Sequence, residues 1–287
     1  MTEPQNERAR LLGPDDWARD MGQTWLRHLD QFEGMIGWAG QALIAHAAFQ
    51  PGERVIDIGP GGGATSLAIG ALIGPRGLVL GVDISPDLVA EARRRAMVAG
   101  LDNVCFVAGD AARIAPEEAP FDRLVSRFGC MFFPDPFPAY AHLRSLVRPG
   151  GRIDLAVWQL AKDNEWLRVQ ADIIGRHIDL PKPVPRAPGP VAMGDPDYAR
   201  ELLEIGGFRH VTITGATGEQ LIGGAGATPE QAADFVLSAH SIGQLLTLAP
   251  DDVQRAAWTD LRDYFRTRHT PRGVVMEGRI WLVSGLA

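Results

Sequence analysis

The stretch 55-VIDIGPGGGATS-66 decides the fold. A β-branched apolar run carries Asp57, four glycines and Pro60 fill the five positions 59–63, and small residues then open a helix. Strand, glycine turn and helix form the unit with which an open α/β sheet brings backbone close to a nucleotide. Gly59, Gly61 and Ala64 also satisfy the loose pattern G-x-G-x-x-A, so the turn alone leaves a dinucleotide-dependent oxidoreductase open.

Outward from this turn, strand and helix patterns alternate. Strands are expected at 54–59, 78–83, 104–110, 121–127 and 152–158, with helices at 65–73, 85–99 and 137–147 between them. Ser85-Pro86-Asp87 is a helix start with a hydroxyl cap, proline at the first position and an acid in the first turn. Such alternation implies a mostly parallel sheet with right-handed crossovers. Ahead of it, residues 1–12 read as a loose tail. A helical stripe from Pro14 then carries Trp17, Met21, Trp25, Leu29 and Phe32, and a second stripe carries Ile36, Ala39, Leu43 and Ala47. Beyond the fifth strand the pattern changes. A helix near 163–178 leads into 181-PKPVPRAPGP-190, whose five prolines in ten residues exclude regular structure. A helix at 196–205, a strand at 209–215, a helix from the Thr228 capping box to about 246, a helix opened by Pro250, and a strand at 279–285 complete the chain.

The 287 residues carry a formal charge of −7, which disfavours a broad nucleic-acid footprint. Cys105 and Cys130 stand far apart without metal-ligand spacing, so neither a disulfide scaffold nor a metal site is expected, and a reducing cytoplasm fits. No apolar run is long enough to span a membrane.

Carboxylates at the strand ends narrow the ligand. Asp83, 24 residues after Gly59, can accept from a ribose diol, as it would in either nucleotide class. Asp110 can accept from an adenine amine while the Ala111 amide serves a ring nitrogen. Asp57 lies two residues before Gly59, where a pyrophosphate is unwelcome and a cationic amino group is favoured. These acids point to S-adenosylmethionine, which carries an ammonium and a sulfonium and no phosphate.

In this light the chain resembles the class I S-adenosylmethionine-dependent methyltransferases, and among them the small-molecule branch similar to ubiquinone and menaquinone biosynthesis enzymes. The resemblance rests on 52-GERVIDIGPGGGATS-66, 81-GVDIS-85, 109-GDA-111, 121-FDRLVSRFGCMFF-133, 146-LVRPGGR-152, 202-LLEIGGF-208 and 281-WLVSG-285. It implies a Rossmann-like, mostly parallel seven-stranded sheet with an antiparallel last strand. Pro60 stands where cysteine or serine is frequent in the family. It also implies cofactor contacts at Trp25, Asp57, Gly59, Pro60, Gly61, Asp83, Ile84, Asp110, Ala111, Ser126 and Arg127. A helical cap over the carboxyl edge is expected from residues 1–50, a lid at 160–194 and an insertion at 216–272. The core then comprises 51–159, 195–215 and 273–287.

Methyl transfer from a sulfonium is an in-line displacement that needs alignment and exclusion of water, and a base only where the acceptor must lose a proton. His240 and His28 are the candidates for that base, each weighed against a structural histidine. Phe128 and Met131 follow the fourth strand and are expected in the acceptor pocket wall. Arg127 would hold the cofactor's carboxylate or an acidic substrate, with a structural ion pair as the rival. The expected partner is a small-molecule acceptor, methylated on O, N or C by a monomer or homodimer without nucleic acid or membrane. Alternatives are a protein or RNA methyltransferase, a nicotinamide oxidoreductase, and a non-catalytic cofactor-binding scaffold.

Overall fold

The computed structural model describes residues 16–287; the expected tail at 1–12 and the helix start at Pro14 lie outside them. Arg54–Ile58 (β1), Leu78–Asp83 (β2), Val104–Ala108 (β3), Phe121–Arg127 (β4) and Val147–Trp158 (β5) follow the predicted alternation. Ala64–Ile73 (α3), Pro86–Ala99 (α4) and Pro136–Ser145 (α5) connect them after two leading helices, Gly22–Arg27 (α1) and Leu29–Ala47 (α2). The chain then adds Glu165–Ile174 (α6), Pro196–Ile205 (α7), Arg209–Ile222 (β6), Pro229–Ala239 (α8), Ser241–Leu246 (α9), Asp251–Arg266 (α10), His269–Thr270 (β7) and Gly273–Leu286 (β8).

The sheet order is β3-β2-β1-β4-β5-β8-β6, with β7 attached to β8 alone. Pairs among β1 to β5 are parallel, and β8 runs antiparallel to both β5 and β6. Two-residue β7 makes eight strands among the described residues, where seven were expected. The continuous apolar runs of β1 and β2 are buried on both faces, as a sheet covered by helices on each side requires.

Three boundaries differ from expectation for identifiable reasons. Residues 216–222, expected in the cap, continue β6 and pair with Val274–Ile280 of β8. Their glycines hid the strand. A Cβ on Gly218 would fall 2.2 Å from the Trp38 ring, and one on Gly278 would fall 2.0 Å from Gln220 Nε2, so bare backbone is what lets those side chains lie on the sheet. The predicted helix 229–246 is broken at His240, whose extended backbone (φ −93°, ψ 144°) separates α8 from α9. The first stripe is likewise interrupted: a π-helical turn Trp17–Met21 precedes α1, and His28 (φ −110°, ψ 23°) separates α1 from α2. The expected caps are present. Ser85 Oγ accepts from the Leu88 amide, and Thr228 and Gln231 close a reciprocal capping box. No helix among the described residues is long and apolar enough to cross a membrane.

A buried charge cluster fastens α2 to the sheet. Asp154, fully buried on β5, lies 2.6 Å from Arg152 and 3.2 Å from Arg123, and accepts from Ser284 Oγ at 2.7 Å. His46, near the end of α2, bonds the same Ser284 hydroxyl at 2.9 Å. Although serine, histidine and aspartate meet here, the hydroxyl sits between the other two, which is the wrong order for an activated nucleophile. Replacing Asp154 with alanine leaves two guanidinium groups poorly compensated. Asp154→Ala is expected to lower unfolding free energy by about 3–5 kcal/mol, against about 1 kcal/mol for the more exposed Arg152→Ala, measured by chemical denaturation.

Candidate active site

The carboxyl ends of β1, β2 and β4 converge on the glycine turn. Gly59 adopts φ 67°, and a Cβ there would fall 2.8 Å from the Gly129 Cα. A Cβ on Gly129 would in turn lie 2.4 Å from the Ile58 carbonyl oxygen. The two loops can therefore abut only as bare backbone, and Gly129 is a site-building residue that the sequence reading passed over. Pro60 is buried, with its ring against Gly81 of β2.

Asp57 is fully buried beneath the turn. One carboxylate oxygen accepts from Ser66 Oγ at 2.6 Å, and Oδ1 has no protein partner. Burial pushes its pKa up to about 6, against the pull of the Ser66 hydroxyl and of Arg127. A buried carboxylate with an open oxygen is stabilised by an incoming cation. Asp83, at the end of β2, accepts from the Gly61 amide and the Ser85 amide, each at 2.9 Å. Burial raises its pKa too, opposed by those amides. A carboxylate has about four acceptor positions, so this tether leaves capacity for a diol. Asp110 follows β3, partly exposed, and accepts from the Ala112 amide at 2.9 Å, with Ala111 buried beside it.

At two expected cofactor contacts the side chains are engaged by protein partners. The Ser126 hydroxyl donates to the Ile58 carbonyl at 2.6 Å and accepts from the Cys130 amide at 3.2 Å, so it ties β4 to β1 from a buried position. Arg127 donates to both carboxylate oxygens of Glu33 on α2, at 2.9 and 3.1 Å, so its guanidinium is neutralised by the rival ion pair. Glu33 had no recognisable signal, because its partner lies 94 residues away.

The roof is aromatic. Trp25 stacks on Phe32 at 3.8 Å, and its Nε1 would lie 3.5 Å from a Cβ on Gly61. Gly22 of α1 packs so closely on Ser85 that a Cβ would fall 2.5 Å from its hydroxyl. Helix α1 thus lies on the loop carrying Asp83 and Ile84. Beyond β4, Phe128 takes a left-handed backbone (φ 69°) and stacks on Trp158 at 4.2 Å. A positive φ at a bulky residue is a strain that tight surroundings must hold. Met131 is buried behind it. Both histidine candidates border the Phe235 ring, His28 at 5.8 Å and His240 at 5.0 Å. His28 contacts Gln31 at 3.3 Å. His240 is held by Gln170, and burial followed by the charge of His28 pushes its pKa down to about 4. Gln170 was missed, though a glutamine within the buried stripe Trp166, Val169, Ile173 is a readable signal. Cys130 is buried, with its thiol pushed up to about 12, and no metal-holding cluster occurs among the described residues.

Comparison with known proteins matches this region. Residues 55–151 match the methyltransferase domain family. Residues 55–151 thus carry a methyltransferase domain, similar to those of class I S-adenosylmethionine-dependent methyltransferases. It is 34% identical over 114 residues to an aklanonic acid methyltransferase of Streptomyces sp. (strain C5), covering 40% of this chain and 52% of that protein. The chain spans about half the length, or less, of the curated relatives it matches. Among solved structures, the YcgJ protein of Bacillus subtilis aligns with a TM-score of 0.56 at 18% identity, over 87% of this chain and 98% of that one. A phosphoethanolamine N-methyltransferase 2 of Haemonchus contortus, in complex with S-adenosyl-L-methionine, aligns with a TM-score of 0.55 at 16% identity, over 95% of this chain and 59% of that one. The two structures share the fold. The chemistry of the donor set fits S-adenosylmethionine: the open oxygen of Asp57 suits an ammonium, and Asp83 suits a ribose.

Because Asp57 titrates near 6, S-adenosylmethionine affinity is expected to fall about tenfold between pH 7 and pH 5, as the acid becomes neutral. The sign for the ligand-free protein is opposite. The folded state holds the proton more tightly than the unfolded state, so stability decreases as pH rises from about 4 through 6. Titration calorimetry across pH checks the first effect, and Asp57→Asn should flatten the profile.

Proposed function

We propose that this methyltransferase moves the methyl group of S-adenosylmethionine to an O, N or C atom of a small, partly apolar metabolite. The open oxygen of buried Asp57, at the foot of the glycine turn, carries the reading. Asp57 would hold the ammonium, Asp83 with Ile84 the ribose, and Asp110 with the Ala111 amide the adenine. Trp25 would cover the methionine end, where an aromatic ring meets cationic charge favourably. The bound cofactor supplies a methyl already activated on sulfonium. What remains for the chain is to align the acceptor and keep water out.

The cap supports a small acceptor. Phe32, Trp166, Phe235 and His240 come from three separate chain segments and bury one another over the carboxyl edge. An aromatic cap of this kind suits a metabolite better than a macromolecule. The formal charge of −7 points the same way, against an extended polyanion. The named activity of the Streptomyces relative, on aklanonic acid, agrees with a small organic acceptor.

Asp83→Ala is expected to weaken S-adenosylmethionine binding about 10- to 100-fold by leaving the ribose hydroxyls without their charged acceptor. Calorimetry on wild type and variant, with NADH in parallel, is the test. Unchanged affinity removes the ribose assignment, and preference for NADH overturns the methyl-transfer reading.

A further inference from the structure

Buried polar atoms without a protein partner are scarce in folded proteins. Of eleven such side-chain atoms among the described residues, six belong to Trp38, Trp166, Gln170, Gln220 and His240. A chain of rings joins their neighbourhoods: Trp38 to Trp158 at 6.4 Å, Trp158 to Trp166 at 5.3 Å, and Trp166 to His240 at 5.5 Å. Four sequence-distant segments, α2, α6, β6 and the α8–α9 break, deliver them to the junction of cap and sheet.

Their chemistry is biased. The indole N–H groups of Trp38 and Trp166 and the amide nitrogens of Gln170 and Gln220 are open donors. Gln220 Oε1 and His240 Nε2 are the open acceptors. The Nδ1–H of His240 donates to Gln170 Oε1 at 2.9 Å, which fixes the tautomer and leaves the Nε2 lone pair open. Flat walls, several N–H donors and one basic nitrogen match a flat ligand with several oxygens, one of them a hydroxyl. A carboxylate gains no cation from the end of β4, where Glu33 already neutralises Arg127.

We propose that this junction is the acceptor subsite, and that it binds a neutral aromatic or enolic hydroxyl flanked by a carbonyl. The hydroxyl donates to His240 Nε2, and the carbonyl accepts from Gln170 Nε2 and Trp166 Nε1. The assignment rests on the methyl-transfer reading. In the reaction, the acceptor oxygen forms its bond to the methyl carbon as the carbon–sulfur bond breaks. The sulfur keeps that electron pair, and the hydroxyl proton passes to Nε2. Burial keeps this imidazole a weak base, at about 4, so it assists a phenolic or enolic hydroxyl and not an aliphatic alcohol.

The test uses the whole protein saturated with S-adenosylhomocysteine, the demethylated product, and four probes: 2′-hydroxyacetophenone, acetophenone, salicylate and tyramine. Binding is read by ligand-observed NMR. The hydroxyketone is expected to bind at least about tenfold more tightly than the other three. His240→Leu should erase its advantage over acetophenone, and Gln170→Met and Trp166→Phe should each reduce it severalfold. Bound S-adenosylhomocysteine in each variant reports an intact fold, and Gln170→Met serves if His240→Leu does not fold. Equal binding of acetophenone, stronger binding of salicylate or tyramine, or binding of none overturns the proposal. Failure of S-adenosylhomocysteine to bind wild type would sink the donor reading instead, while the probe preference would still stand or fall separately.

Discussion

Everything at this site depends on two strand ends touching as bare backbone. Gly59 and Gly129 press the loop after β1 against the loop after β4, within a distance no side chain would tolerate. That contact brings Ser126 under the Ile58 carbonyl and leaves Phe128 in a left-handed conformation on top of Trp158. The turn is therefore shaped by its neighbour across the sheet as much as by its own glycines. Repeated small residues in the first loop are only half of the constraint, and the single glycine of the second completes it.

Around this contact the charges divide into two kinds. Asp154 and Glu33 are buried or nearly so and face guanidinium groups, so their role is to hold elements together. Asp57 is equally buried, and its direct bonding partner is a hydroxyl. Desolvation then dominates and lifts its pKa, a setting that an incoming cation would relieve. Asp83 stands between these cases. It stiffens the turn through Gly61 and Ser85 and still offers lone pairs outward.

Much of this was legible from local pattern. The alternation of β1 to β5, the caps at Ser85 and Thr228, and the position of each strand-end acid follow from neighbours a few residues apart. What escaped depended on distant partners. The β6 extension reads as loop because Gly215 and Gly218 dilute its strand pattern, and only the Trp38 ring explains Gly218. Arg127 offers no sign in its own neighbourhood that Glu33 will claim it. His240 sits in an apolar helical pattern, yet its buried bond to Gln170 accompanies a break in that helix. Candidate ligands of the cofactor were thus easier to name than the side chains that the cap withdraws from it.

The place of β8 in the sheet bears on how the protein is made. Strand β6 is synthesised about fifty residues before β8, yet within the sheet it pairs with β8 alone. Until the last strand leaves the ribosome, residues 209–222 have no sheet partner, and Ser284 cannot yet link His46 to Asp154. The nascent chain therefore carries an unpaired edge and a loosely fastened α2 until residues 273–286 have emerged. A ribosome that stalls short of residue 273 holds a chain open to wrong pairing, the situation that chaperones meet.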